Sequence, residues 1–363
     1  MNGVGFRAVS ANRKSSLRRS EGWCELGGVK YRLQYRRYAL PFRSPVRTGH
    51  GVWAEREGLI VRLEDEAGVA GYGEAAPIPH FKTETVDAAE AAVRLLGEWT
   101  STEELGELPA GLATLRQAVG AAQERGAAAV GGRDFLGVAA LLSAGRAAFA
   151  QVGSRVEMGF RIFKWKVGVG DIADELAMLE DLCAELPTGG KLRLDANGAW
   201  DRRRAERCLE RCAGCPVEFL EQPIAADARG AADVLLGLAG DYPTPVALDE
   251  SLVGEEDIER WIGAGWPGVY VVKPSLLGDA RGAMARLAQA KADVVFSSAL
   301  ETAVGAQTAL RLALAWPGEP RAVGFGVWPR FADDRFDGPF AAPFFRAEDV
   351  ARLNPEDVWS ALS

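Results

Sequence analysis

Histidine is nearly missing from this chain: His50 and His80 are the only two in 363 residues, which all but excludes a zinc centre built on imidazoles. Cysteine is sparse and odd in number, at five, and the basic first stretch lacks the apolar core of a secretory leader. That combination fits reduced cytosolic thiols rather than a disulfide framework, and a cytoplasmic location. No apolar run approaches the roughly 18 residues that a bilayer-spanning helix needs, so the chain does not read as a membrane protein. Positive charge is outweighed by negative, for a net charge of -8 and a pI near 5.2, which argues against nucleic acid and anionic lipid as partners. Small molecules are the expected partners. A hydrophobic content of 48% and a charged content of 25% are those of a globular protein large enough for a barrel plus a smaller domain.

What is present falls into four stretches. Residues 1–29 carry Arg7, Arg13, Lys14, Arg18 and Arg19 with little apolar content, and read as a disordered tail without an assigned function. Residues 30–130 alternate as antiparallel strands, in YRLQYRRYAL and LIVRLEDEAGVAGYGE, and then turn helical, which predicts a small α+β domain. Residues 131–328 switch to apolar runs separated by helical stretches: VAALL, RIFKWKV, KLRLDAN, VEFLEQP, PVALDES, VYVVKPS, DVVFSS and AVGFGV. Their spacing of roughly 25 to 30 residues is that of one strand-loop-helix unit, and eight such units close a TIM-type barrel. A doubly wound open sheet is second choice, because Gly168 and Gly170 lack the third glycine of a dinucleotide loop and read as a turn. Residues 329–363, rich in Phe, Pro and Asp, are expected to pack back on the first domain.

Three consecutive runs end in a carboxylate: Asp195, Glu221 and Asp249. A charge at the end of a buried strand is costly unless something pairs with it, and a barrel brings its strand ends to one mouth, so one cation can pair with all three. All-oxygen ligation that leaves positions for water and substrate favours Mg²⁺, with Mn²⁺ as a substitute. The flanking runs end in Lys166 and Lys273, which would face a bound substrate from opposite sides. Beside a divalent cation and a second ammonium the neutral amine is favoured, which is how a lysine becomes a base near neutral pH. Lys164 shares the face of Lys166 and is expected to lower its pKa. An inward ion-pair network is the alternative for these lysines. The reaction implied begins with removal of a proton next to a carboxylate, a carbanionic step that a cation stabilises. Whether the proton then returns or a group leaves is not decided by the trio.

The order KWK, DAN, EQP, LDES and VKP resembles the enolase superfamily, and in particular its muconate-lactonizing subgroup. That resemblance implies a (β/α)7β modified TIM barrel behind an N-terminal α+β capping domain, with Asp195, Glu221 and Asp249 on Mg²⁺ and Lys166 as acid/base. REGLIVRL, GYGEAAPIP, LLSAGRAAF, VVKPSLLG and VVFSSALETAVG are most similar to the o-succinylbenzoate synthase family. It implies syn-dehydration of 2-succinyl-6-hydroxy-2,4-cyclohexadiene-1-carboxylate on the way to menaquinone or phylloquinone, Lys166 serving both steps and Lys273 acting as a cation. Asn197 and Glu250 are candidates for orienting the ligands, and Ser297, Ser298 and Glu301 for the succinyl arm, with a helix N-cap as the alternative reading of SSALET. Arg47 and His50 in VRTGHG resemble a cap loop that contacts substrate. Dipeptide epimerases and N-acylamino acid racemases keep the same trio and both lysines and form the second reading. Cys208, Cys212 and Cys215 are similar in spacing to the cluster motif of radical S-adenosylmethionine enzymes, a distant third. They fall at the end of a helix, just before a strand, and so at the wrong face of a barrel; inert thiols are expected. A silent barrel used for binding is fourth.

Overall fold

The computed structural model describes residues 29–48, 51–125, 132–340 and 342–362. The alternating N-terminal sequence forms β1 (Lys30–Thr48), β2 (Gly51–Asp65) and β3 (Ala70–Ala75), joined at the edge by β4 (Trp99–Ser101), in the antiparallel order β3-β2-β1-β4. β1 changes the face that it buries. Tyr31 and Leu33 turn under the helices Val86–Leu96 and Ala113–Glu124, together with Leu59, Val61 and Leu63 of β2. Further along, residues of the other parity, Tyr38, Leu40 and Phe42, pack with Phe331, Phe336, Val358 and Trp359 of the C-terminal segment. One long hairpin therefore serves two cores.

β5 (Phe135–Gly137) is followed by seven parallel strands: β6 (Ala140–Leu142), β7 (Ile162–Lys166), β8 (Lys191–Asp195), β9 (Val217–Glu221), β10 (Val246–Leu248), β11 (Val269–Val272) and β12 (Asp293–Phe296). They neighbour one another in sequence order, and a helix follows each, as right-handed crossovers require. The eighth apolar run contributes only bridges, Val323 to Val138 and Gly324 to Ser297, but these join the last strand to the first and close the barrel. β13 (Phe344–Arg346) returns to pair antiparallel with β5.

Register decides which side chains look into the barrel. Lys164 lies opposite Arg193, Lys166 opposite Asp195 and Asp195 opposite Glu221, while Ala247 pairs with both Glu221 and Val269. Because strand side chains alternate, this parity gathers Phe219, Ala247, Val269, Val271 and Val295 into an interior cluster. Lys164, Lys166, Asp195, Glu221, Asp249 and Lys273 share the parity and sit higher, at the C-terminal ends. The opposite parity, including Phe163, Trp165, Leu192, Leu194 and Leu220, packs under the helices. Four of those helices begin on a side-chain cap at the same mouth: Asp171, Asp201, Asp279 and Thr302 accept from amides of the first turn.

Candidate active site

Asp195, Glu221 and Asp249 are brought to one end of the barrel and are buried. Lys164 lies between two of them, its Nζ 2.6 Å from Glu221 Oε1 and 2.9 Å from Asp195 Oδ2. Lys166 Nζ donates to the same Asp195 Oδ2 at 2.8 Å and also to Asn197 Oδ1, and Lys273 is paired with Asp249 Oδ1. The two outer lysines differ in access. The Lys166 side chain is 35% exposed toward the mouth, against 10% for Lys273 and 15% for Lys164. Phe81 of the N-terminal domain covers Lys273, whose Nζ stands 4.8 Å from the ring centroid.

The electrostatics follow from crowding. Burial, then the charges of Asp195 and Asp249, push Glu221 up to about 8 despite Lys164. Burial, then Asp249 and Asp195, push Glu250 up to about 7. In Asp195 burial is overcome by Lys164 and Lys166, and its pKa lies below the usual carboxylate range. In Lys164 burial is likewise overcome, by Asp195, Glu221 and Asp249, so its ammonium is held charged. Lys164 thus takes the role of an ion-pair partner, and Lys166 is the lysine open to a ligand.

The remaining candidates are placed unequally. Asn197 bridges, since its Nδ2 donates to Glu250 Oε1 at 2.8 Å while its carbonyl oxygen accepts from Lys166. Glu250 Oε2 is buried without a hydrogen-bond partner. Ser297 and Ser298 are buried at the end of β12, where Ser298 Oγ donates to Glu301 Oε2 at 2.8 Å. The helix Ala303–Leu314 is capped by Thr302, the last residue of SSALET, so the N-cap reading of that motif holds through its threonine while the two serines stay clear of the cap. The Arg47 side chain and His50 lie outside the described residues.

Two contacts of the site escaped the sequence reading. Gln222, at φ 36°, accepts from the amides of Asp249 and Ser251 at 2.9 and 3.1 Å and donates to Ser251 Oγ at 2.9 Å, which sets the turn that carries Asp249. Its position immediately after Glu221 was the available signal, because an amide there can serve two strand ends. Phe81 had none, being far from Lys273 in the chain.

The chain as a whole is similar to known proteins. Residues 147–345 match the enolase C-terminal domain-like family, and residues 31–115 match the MenC N-terminal domain. An o-succinylbenzoate synthase from Thermosynechococcus vestitus is 40% identical over 309 residues, 82% of this chain and 92% of that protein. The chain belongs to the o-succinylbenzoate synthases, lyases of the enolase superfamily. A solved o-succinylbenzoate synthase from Thermosynechococcus elongatus, described as having Mg in its active site, aligns with a TM-score of 0.76 and 36% identity over 91% of this chain and 99% of its own. An L-Ala-D/L-Glu epimerase from Bacillus subtilis is 26% identical over 78% of this chain and 84% of its length.

The donor chemistry of the synthase site suits a hard divalent cation, with Asp195, Glu221 and Asp249 as the residues that would hold it. The trio offers only oxygen, and burial together with the charges of Asp195 and Asp249 raises Glu221. A further acid, Glu250, keeps one buried oxygen unpartnered. Lys164 and Lys273 now supply the positive charge, and with the side chains turned to them, no three His, Cys, Asp or Glu side chains among the described residues are gathered closely enough to hold an ion. Cys208, Cys212 and Cys215 are remote from this mouth, just ahead of the start of β9. Cys208 and Cys212 end the helix Arg202–Cys212 ahead of β9, their sulfurs 3.8 Å apart, and the hydrogen bond to Cys208, then burial, raises the Cys212 thiol above its ordinary range. Such thiols are poor ligands and poor nucleophiles.

Proposed function

We propose that this chain catalyses the Mg²⁺-dependent syn-dehydration of 2-succinyl-6-hydroxy-2,4-cyclohexadiene-1-carboxylate to o-succinylbenzoate in menaquinone or phylloquinone biosynthesis, in the cytoplasm. The single observation that carries the reading is Lys166, the one lysine of the three open to the mouth, set on the strand next to a buried carboxylate trio. Asp195, Glu221 and Asp249 would hold the cation, which supplies positive charge where carboxylate oxygens gain negative charge. Lys166 as free amine takes the proton next to the substrate carboxylate, and its pair of electrons stays with the ring. As ammonium it returns a proton to the hydroxyl leaving from the same face; water departs and the ring becomes aromatic. Asn197, pinned by Glu250, holds the Lys166 amine in line for both transfers. Lys273 stays a cation on the opposite face under Phe81.

Loss of the cyclohexadiene absorbance tests this directly. Turnover in Mg²⁺ is expected to vanish in EDTA, and Lys166→Ala is expected to lower kcat by on the order of a thousandfold while the variant stays folded. A folded wild-type protein in Mg²⁺ that leaves the diene untouched would overturn the synthase reading. The second reading, a 1,1-proton transfer on dipeptides or N-acylamino acids, draws on the paired lysines and would show as α-deuterium uptake in D₂O that needs Lys273.

A further inference from the structure

We propose that Arg56, on a strand of the N-terminal domain, is a positioning residue for the proposed dehydration: it latches that domain to the loop after β12 and so fixes Ser298 and Glu301 at the barrel mouth. Arg56 is 1% exposed. Each of its N–H donors meets a backbone carbonyl: Nη1 those of Glu57 at 3.2 Å and Pro77 at 2.8 Å, Nη2 those of Ala76 and, at 3.3 Å, Ala299, and Nε that of Leu300 at 3.3 Å. Three of these carbonyls belong to the N-terminal domain and two to the barrel loop. Trp53 lies against the guanidinium, 5.1 Å to the ring centroid. Among the described residues no carboxylate stands within ion-pair distance of it, so its charge is met by carbonyl dipoles from the two sides of the seam.

The loop it grips is held in an expensive conformation. Leu300 has φ 59°, in the left-handed region that a branched side chain avoids. Its amide donates to Ser298 Oγ at 2.9 Å, and that hydroxyl donates in turn to Glu301, which is fully buried with Oε1 unpartnered. A second side chain from the N-terminal domain secures the far end: Glu74 accepts from Thr302 N at 2.9 Å and from Gly305 N at 2.9 Å. Strain and an orphaned carboxylate oxygen in one loop at a strand C-terminus, with a buried guanidinium against it, persist only when the surroundings over-determine them, and they concentrate where a ligand is gripped. Packing alone would have used apolar residues. Lysine in place of Arg56 offers three donors from one point and cannot span the five carbonyls.

This inference rests on the proposed function, and the wild-type turnover reports on that function by itself. Arg56→Lys is expected to fold and to raise KM about tenfold or more while kcat stays within about threefold, because the loop binds substrate without entering the chemistry. Hydrogen exchange of the amides of Ala299, Leu300 and Thr302 is expected to accelerate in the variant, with β8 and β9 unchanged. In the wild type, o-succinylbenzoate is expected to protect those same three amides, a readout that needs no variant. Unchanged KM in folded Arg56→Lys, or product binding that leaves the loop amides unprotected, would overturn the latch.

Discussion

Glu301 shows how a single side chain stores a pH dependence. Burial pushes its carboxyl from the ordinary 4.5 up to about 7, against the opposing pull of amides and of the Ser298 hydroxyl. Since the folded protein holds this proton more tightly than the unfolded chain, the contribution is fully present below about 4.5 and is lost as pH rises through about 7. Glu301→Gln removes the titration. Relative to the variant, the wild type is expected to lose about 3 kcal/mol of stability between pH 4.5 and 8, read from urea unfolding at both ends of the range. Parallel stability curves for the two proteins would contradict it. Residue types at this scale were readable from the sequence, because an acid or a lysine that ends an apolar run is visible as such. The partners of each were not: Asn197 was visible as a neighbour of Asp195, but its bridge from Lys166 to Glu250 joins the C-terminal ends of three barrel strands.

Elements that bury a whole face were legible, and elements that pair briefly were not. The strands that form the barrel stood out as apolar runs, whereas β4 and β13 span three residues each and exist because β1 and β5 offer them an edge. The eighth run reads as a strand but pairs only through bridges, since Gly324 and Gly326 interrupt it. Glycine carries a second message in β3. A Cβ on Gly73 would fall 1.9 Å from the carbonyl oxygen of Ala118, and one on Gly71 would fall 1.9 Å from that of Ala122. The helix Ala113–Glu124 thus lies directly on the backbone of β3, with Ala118 and Ala122 one turn apart over two glycines of one strand face. Because both contacts are to main chain, no rotamer relieves them. Gly73→Ala is expected to destabilise the fold by about 3 kcal/mol, by lifting the helix off the sheet, and equilibrium denaturation measures it. A loss below about 0.5 kcal/mol would mean that the helix shifts freely.

At the scale of the whole molecule the chain is joined by contacts between segments distant in sequence, which is where a reading by period and motif runs out. Barrel and trio follow from local runs, but the switch of buried face along β1 answers to the C-terminal segment, which has no period of its own. Trp359 is the clearest case. Its ring is nearly buried on the outer half of the hairpin, with the Arg36 guanidinium 4.2 Å from its centroid and Tyr72 at 6.1 Å, in the cluster that also holds Tyr38, Phe42, Phe331 and Val358. Removing it opens a seam shared by three parts of the chain rather than a pocket in one. Trp359→Ala is expected to cost about 3 to 5 kcal/mol, the range for losing a buried aromatic. The loss should spread: amides of β1 from Tyr38 to Phe42 are expected to exchange faster along with the helix Pro355–Ala361, because Trp359 shares one cluster with Tyr38, Leu40 and Phe42 on that face of the hairpin. The helices over Leu59, Val61 and Leu63 protect the other face, so the amides there are expected to keep their wild-type rates until global unfolding. Faster exchange confined to the helix Pro355–Ala361 would show instead that the C-terminal segment is a passenger, and that the hairpin stands on its first core alone.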